Sequence, residues 1–331
     1  MNFTPDLLKS YHIVDYGYTE EPKALSFEHF EKWVEKGEHG DLSYLEDHRK
    51  DKRKDLKNYF PKFQSALVFL FSYQETKAWL HKNPLVHGLK IAGYALGFKG
   101  KDYHLVIKKS LEEIAQKLKS ENPHLEVGLT LDIHPVLERD LAFRAGLGWF
   151  GKNSMLIHRE HGSYMMIGSL LLSETLPEFQ TPVLETDHCG TCRKCIDACP
   201  TEAIDEKNRT IVAYKCIGNY TVEVFKEEIP PLGYEKGNYF FGCDICQEVC
   251  PWNKEEKTGE HSSVLYDFFN RPLMHIQSEV ESMTKRGFKK KFAETSLERL
   301  GKEGLLKNLK PFLLRPSSAL PPVPEDDGAD V

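Results

Sequence analysis

The sequence predicts an α/β (α+β) fold with a cysteine-rich module on its carboxyl side and a short helical region after that. Helical and strand-like segments alternate over roughly the first 175 residues, all eight cysteines lie between Cys189 and Cys250, and apolar residues recur at helical spacing after Val264. Residues 1–62 read as mostly helical, with polar turns around 37–41 and a basic segment ending at Pro61. The first strong strand is Ser65-Ala-Leu-Val-Phe-Leu-Phe-Ser-Tyr73, an unbroken apolar run of the kind buried on both faces. Over 103–120, Val106 or Ile107, Leu111, Ile114, Ala115 and Leu118 share one helical face, with lysines and glutamates opposite. Leu125, Val127, Leu129 and Leu131 alternate at period two, and this strand runs into Asp132-Ile-His-Pro135. Pro135 and Gly146 bracket a helix over 136–145 with proline at its start and glycine at its stop. Residues 154–158 and 164–172 supply further strands, and 176–187 is a proline-bearing polar link.

The cysteines carry the chemistry. Cys189-Gly-Thr-Cys192-Arg-Lys-Cys195-Ile-Asp-Ala-Cys199-Pro200, then Cys216, then Cys243-Asp-Ile-Cys246-Gln-Glu-Val-Cys250-Pro251 use every cysteine in the chain. In a bacterial ferredoxin run, three cysteines at x2, x2 spacing hold one cluster, and the fourth, before a proline, reaches across to the other. The expected quartets are therefore Cys189, Cys192, Cys195 and Cys250 on one 4Fe-4S cluster, and Cys199, Cys216, Cys243 and Cys246 on the second. The alternative is a pair of structural zinc sites, since C-x2-C pairs also bind zinc. A third cysteine at x2 and two Cys-Pro endings are not what a tetrahedral ion needs.

Composition bounds the rest. A length of 331 residues, 40% of them hydrophobic and 28% charged, suits a globular catalytic core plus a smaller module. The expected units are 1–178, the cluster module 179–256, a helical region 257–315, and a tail 316–331 whose Pro, Ser, Asp and Glu content predicts disorder. There is no apolar signal segment and no membrane-length run, so thiolates kept reduced point to a cytoplasmic protein, with a monomer expected. A net charge of −6 argues against a surface coated with nucleic-acid-binding cations. Two basic runs stand out against it, residues 48–54 and 285–291; each is either a solvated face or a contact for a polyanion.

Several blocks together resemble epoxyqueuosine reductases. They are the cysteine spacing, Asp132-x-x-Pro-Val-Leu-Glu-Arg139, Ala145-Gly-Leu-Gly-Trp-Phe-Gly-Lys-Asn153, Tyr94-Ala-Leu-Gly97 with Asp102-Tyr-His104, and Gly242-Cys-Asp-Ile-Cys-Gln-Glu-Val-Cys-Pro-Trp-Asn253. The resemblance runs with interruptions from about residue 40 to about residue 310. It implies a nitroreductase-like catalytic domain, a ferredoxin-like module packed on it, and cobalamin between them, bound with its lower base detached and no protein histidine on cobalt. The implied reaction reduces epoxyqueuosine to queuosine at the wobble position of a tRNA, with a low-potential donor supplying electrons. Two departures are visible: Phe98-Lys-Gly-Lys101 lengthens the loop before Asp102, and Ile217-Gly-Asn-Tyr-Thr-Val-Glu223 replaces a commoner Ile-Ser-Tyr-Leu-Thr-Ile-Glu. Many family members continue into a helical-repeat domain; this sequence stops before one. The other readings are a reductive dehalogenase, which shares the corrinoid and two-cluster logic, and a non-catalytic electron carrier, which leaves residues 1–175 without a purpose.

Reductive opening of an epoxide needs an acid for the departing oxygen. The resemblance places Asp132 in that role, and burial beside an apolar corrin face is expected to raise its pKa toward neutrality. Capping of the following helix is the alternative. Asp102, Tyr103 and His104 are the expected substrate-binding trio, and Arg53, Asp132, Lys152, Asn153, Gly218 and Asp244 the expected cobalamin contacts. Lys285, Arg286, Lys289, Lys290 and Lys291, with Phe288 among them, are the candidate tRNA surface.

Overall fold

The computed structural model describes residues 3–226, 228–253 and 263–314, so the tail expected from 316 onward lies outside the described residues. Four strands form the main sheet in the order Ile13–Thr19, Ser65–Ser72, Met165–Leu172, Val127–Thr130, and every pairing is antiparallel. Ala66 to Phe71 are wholly buried, as a run without polar breaks requires of a central strand. Period two then divides its side chains between the two faces. Leu67, Phe69 and Phe71 meet Ile107, Leu111 and Ile114 of the Tyr103–Glu121 helix. Ala66, Val68 and Leu70 meet Leu141, Ala142 and Ala145 from the Glu138–Arg144 helix and its end.

The amino-terminal segment departs from the helical expectation. Ile13–Thr19 is a strand, and Asp15 and Gly17 obscure its alternation; the register also shifts between Ile13 and Asp15. Gly17 is needed there because a Cβ would stand 2.1 Å from the carbonyl oxygen of Ala145. Pro135 precedes the next helix instead of opening it, since the helix begins at Glu138 and ends before Gly146 at φ +77°.

A second core joins three stretches that are far apart in the chain. Leu89, Ile91 and Leu96 pack with Ile217, Tyr220, Phe240 and Phe241 and with Phe269, Ile276, Phe292 and Leu309 of the carboxyl-terminal helices. Lys90–Ile91 runs parallel to Tyr239–Phe241, so backbone pairing reinforces that union. Asn308, fully buried, donates from Nδ2 to the carbonyls of Thr221 at 2.8 Å and Phe240 at 2.9 Å. Asn308→Ala strands both acceptors, and a stability loss of about 1–3 kcal/mol is expected in denaturant unfolding. An unchanged midpoint would show that these bonds contribute nothing.

The basic run forms the Lys285–Lys291 helix, with Thr284 Oγ1 capping it by accepting from Gly287 N at 3.0 Å. Phe288 is only 1% exposed and faces this core, so it offers no ring for stacking; the cationic side chains alone face outward.

Candidate active site

Asp102 begins the site as the N-cap of the Tyr103–Glu121 helix. Its Oδ1 accepts from His104 N at 2.9 Å and from His104 Nδ1 at 2.5 Å. The lengthened loop before it is a tight turn in which Phe98, Lys99 and Gly100 have φ of 53°, 59° and 77°. That turn delivers Tyr103 and His104 to the end of the Val127–Thr130 strand. There His104 Nε2 lies 2.7 Å from Asp132 Oδ1, and Tyr103 OH donates to Asp132 Oδ2. His134 Nδ1 accepts from Leu131 N at 3.0 Å, closing the loop that carries Asp132.

This geometry reverses the expected titration of Asp132. Burial pushes its carboxyl up, but the hydrogen bond and charge of His104 together with the Tyr103 hydroxyl outweigh it, and the pKa falls below the usual carboxylate value. Burial likewise disfavours the His104 cation, yet the hydrogen bonds it donates to Asp102 and Asp132 push that imidazole up to about 10. At neutral pH these shifts favour a protonated His104 hydrogen-bonded to an ionised Asp132. Glu138, six residues after Asp132, was not singled out by sequence reasoning although it sits in the same motif. Burial, with the Asp132 charge adding to it, holds its carboxyl well above the ordinary range, and its Oε1 is buried without a hydrogen-bond partner.

A raised folded-state pKa means the His104 contribution to stability is complete below the unfolded value of 6.5, while the carboxylates stay ionised, and is lost as pH rises through about 10. Denaturant unfolding of wild type and His104→Gln at stepped pH should show their difference shrinking across that window. A pH-independent difference would contradict the pairing.

None of the eight cysteines is paired in a disulfide, and they gather in two groups. Burial raises Cys195 and Cys250, and the neighbouring charges on them come from Cys189 and Cys192 and from each other's side for Cys195. Burial also raises Cys243 and Cys246 far above the ordinary thiol value, with Cys199 and Cys216 as the neighbouring sulfurs. The first quartet lines a cavity with Trp252 and His188 near exposed Gly190 and Thr191; the second lies among buried Ile217, Asp244 and Gln247.

The remaining expected contacts scatter. Arg53 is 7% exposed, with Nη2 donating to Tyr44 O at 3.4 Å and Nη1 buried and unpaired. Gly218 lies beside the second quartet, where a Cβ would stand 3.6 Å from Cys216 Sγ. Asp244 is 1% exposed and its Oδ2 is taken by Gly93 N at 2.8 Å and Lys77 Nζ at 3.0 Å. Lys152 and Asn153 line the first quartet's cavity, apart from the Asp132 group: Lys152 Nζ pairs with Glu206 at 3.3 Å and Asn153 Nδ2 donates to Cys246 O at 3.3 Å. The Lys285–Lys291 helix supplies none of the side chains bonded to Asp132, Tyr103 or His104.

Two family models match, a "4Fe-4S double cluster binding domain" over residues 188–253 and "Epoxyqueuosine reductase QueG, DUF1730" over 53–132. The epoxyqueuosine reductase of Cyclobacterium marinum is 37% identical over 281 residues, 84% of this chain and 85% of that protein. The chain belongs to the epoxyqueuosine reductase family. The Leadbetterella byssophila epoxyqueuosine reductase is 35% identical across 84% of this chain and 86% of its own length. The solved epoxyqueuosine reductase of Streptococcus thermophilus shares the fold at a TM-score of 0.76 and 24% identity, covering 93% of this chain and 80% of its own. A solved epoxyqueuosine reductase with a tRNA-Tyr epoxyqueuosine-modified tRNA stem loop matches at a TM-score of 0.69 and 25% identity, over 92% of this chain and 78% of that one. Among the described residues no helix of this reductase is long and apolar enough to cross a membrane.

Proposed function

We propose that this chain reduces epoxyqueuosine to queuosine at the wobble position of tRNA, taking two electrons and two protons and releasing the epoxide oxygen as water. The convergence of Tyr103 OH and His104 Nε2 on Asp132 carries this reading, because it assembles a proton source at the end of a sheet strand. Asp132 receives the His104 proton and delivers it to the leaving oxygen. Tyr103 holds the second carboxylate oxygen, and Asp102 fixes the imidazole so that Nε2 faces Asp132. Burial and the Asp132 charge both disfavour a second negative charge on Glu138 beside that centre.

Cobalamin with its lower base detached would supply the strongly reducing metal centre, and two 4Fe-4S clusters would supply electrons singly. The residues suit these groups in two respects. Each sulfur quartet provides the four thiolates a cubane needs, and the unpaired, buried Nη1 of Arg53 is a donor awaiting an amide or phosphate oxygen. Asp132, Lys152, Asn153, Gly218 and Asp244 are the other residues assigned toward the corrin, and Asn153 also ties the glycine-rich turn to Cys246 of the second quartet. The buried quartet is the inner one: Asp244 beside it bears on Tyr94, whose ring stands 5.9 Å from that of Tyr103. The outer quartet receives electrons from a low-potential donor, in a cytoplasmic monomer whose thiolates stay reduced. Lys285, Arg286, Lys289, Lys290 and Lys291 contribute non-specific attraction to tRNA phosphates.

Anaerobically loaded protein, given tRNA carrying epoxyqueuosine and a low-potential reductant, should yield queuosine in digested nucleosides. No queuosine from protein with full iron and cobalt content would refute the assignment.

A further inference from the structure

Four side chains outside the proton-transfer group border the approach to Asp132. Tyr44, on the turn Ser43–Leu45, is 39% exposed and has the Arg49 guanidinium 5.8 Å over its ring. Phe225 is 42% exposed and has the Arg299 guanidinium 5.4 Å over its ring. Arg299 comes from the Leu297–Leu313 helix and is held by Glu223 through contacts of 2.9 Å and 2.5 Å. Both pairs lie close enough to Asp132 to act on it electrostatically: Arg299 interacts with Asp132, Tyr103 and Tyr44, and Tyr44 with Glu223 and Asp132.

A single exposed aromatic ring is unremarkable on a protein surface. Two rings, each backed by a planar cation beside a centre that must reach a base in an RNA loop, are different. Unstacked loop bases are held by aromatic faces and guanidinium planes, and a ring already under a guanidinium keeps its other face for a base. We propose that Tyr44 and Phe225, with Arg49 and Arg299, form a stacking clamp for the anticodon nucleotides flanking the wobble position, which holds the modified base over Asp132. This rests on the functional reading above and adds where the RNA is gripped. It also gives the carboxyl-terminal helix a part in substrate binding: Glu223 fixes the Arg299 plane against Phe225, and removing Arg299 frees that ring from its backing.

The test uses the loaded full chain and an anticodon stem–loop carrying epoxyqueuosine. Phe225→Ala and Tyr44→Ala should each raise KM, and the stem–loop dissociation constant read by fluorescence anisotropy, by about tenfold. Turnover at saturation should fall far less, and melting temperature and cluster absorbance should match wild type. Tyr44→Phe, which keeps the ring and loses only the hydroxyl, should restore wild-type affinity. Wild-type turnover with unchanged KM and affinity in both alanine variants would overturn the clamp alone. So would a loss that Tyr44→Phe fails to rescue, or one accompanied by an equal drop in melting temperature, which marks a packing role. Absence of turnover by the loaded wild type would instead refute the functional reading on which the clamp depends.

Discussion

Asp132→Asn is expected to lower turnover of epoxyqueuosine-bearing tRNA by a factor on the order of 100 to 10,000, with iron and cobalt contents unchanged. An amide neither relays the His104 proton nor carries the charge that holds it. His104 then keeps only Asp102 as a carboxylate partner, so its pKa should drop from about 10 toward the ordinary imidazole value, a change visible by NMR titration. Those two readouts separate proton delivery from simple positioning. Retained turnover in a fully loaded variant would remove Asp132 from the reaction. Retained turnover together with an unshifted His104 would also dissolve the coupled pair.

Cys216→Ser should reduce bound iron to about half and abolish turnover, because serine is a poor ligand to iron and the inner quartet has no spare sulfur. Cys250→Ser makes the sharper test of the crossed arrangement. Cys250 lies four residues after Cys246 in sequence, yet its sulfur neighbours are Cys189 and Cys192. Its loss should destroy the outer cluster and leave the one held by Cys199, Cys216, Cys243 and Cys246. Iron and sulfide counts with the EPR signal of the reduced protein check this. An intact outer-cluster signal in Cys250→Ser would mean that the quartets are sorted along the sequence and not across it.

The legible parts of the chain were those where one strong local signal decided the outcome. The 65–73 run had no polar break, so it became the central strand, and the 103–120 pattern became the helix that presents Tyr103 and His104. Cysteine spacing announced the double-cluster module because cluster geometry tolerates few alternatives. Failures arose where long-range partners set the result. Ile13–Thr19 is a strand because Ser65–Ser72 offers it an edge, and nothing in Asp15 or Gly17 announces that. The titration of Asp132 was misjudged because burial was visible in the sequence pattern while the donation from His104, 28 positions earlier, was not. Phe288 looked available within a basic run, but helical periodicity turned that one position inward.

The core that unites Leu89 and Ile91 with Phe240, Phe241 and Leu309 has an evolutionary corollary. The cysteine segment looks like a cassette in the primary sequence, yet its apolar seat is furnished by a loop of the preceding unit and by helices that follow it. A recombination event that exchanged residues 188–253 for a foreign ferredoxin would strand those surfaces in water, so such an exchange is expected to destabilise the fold.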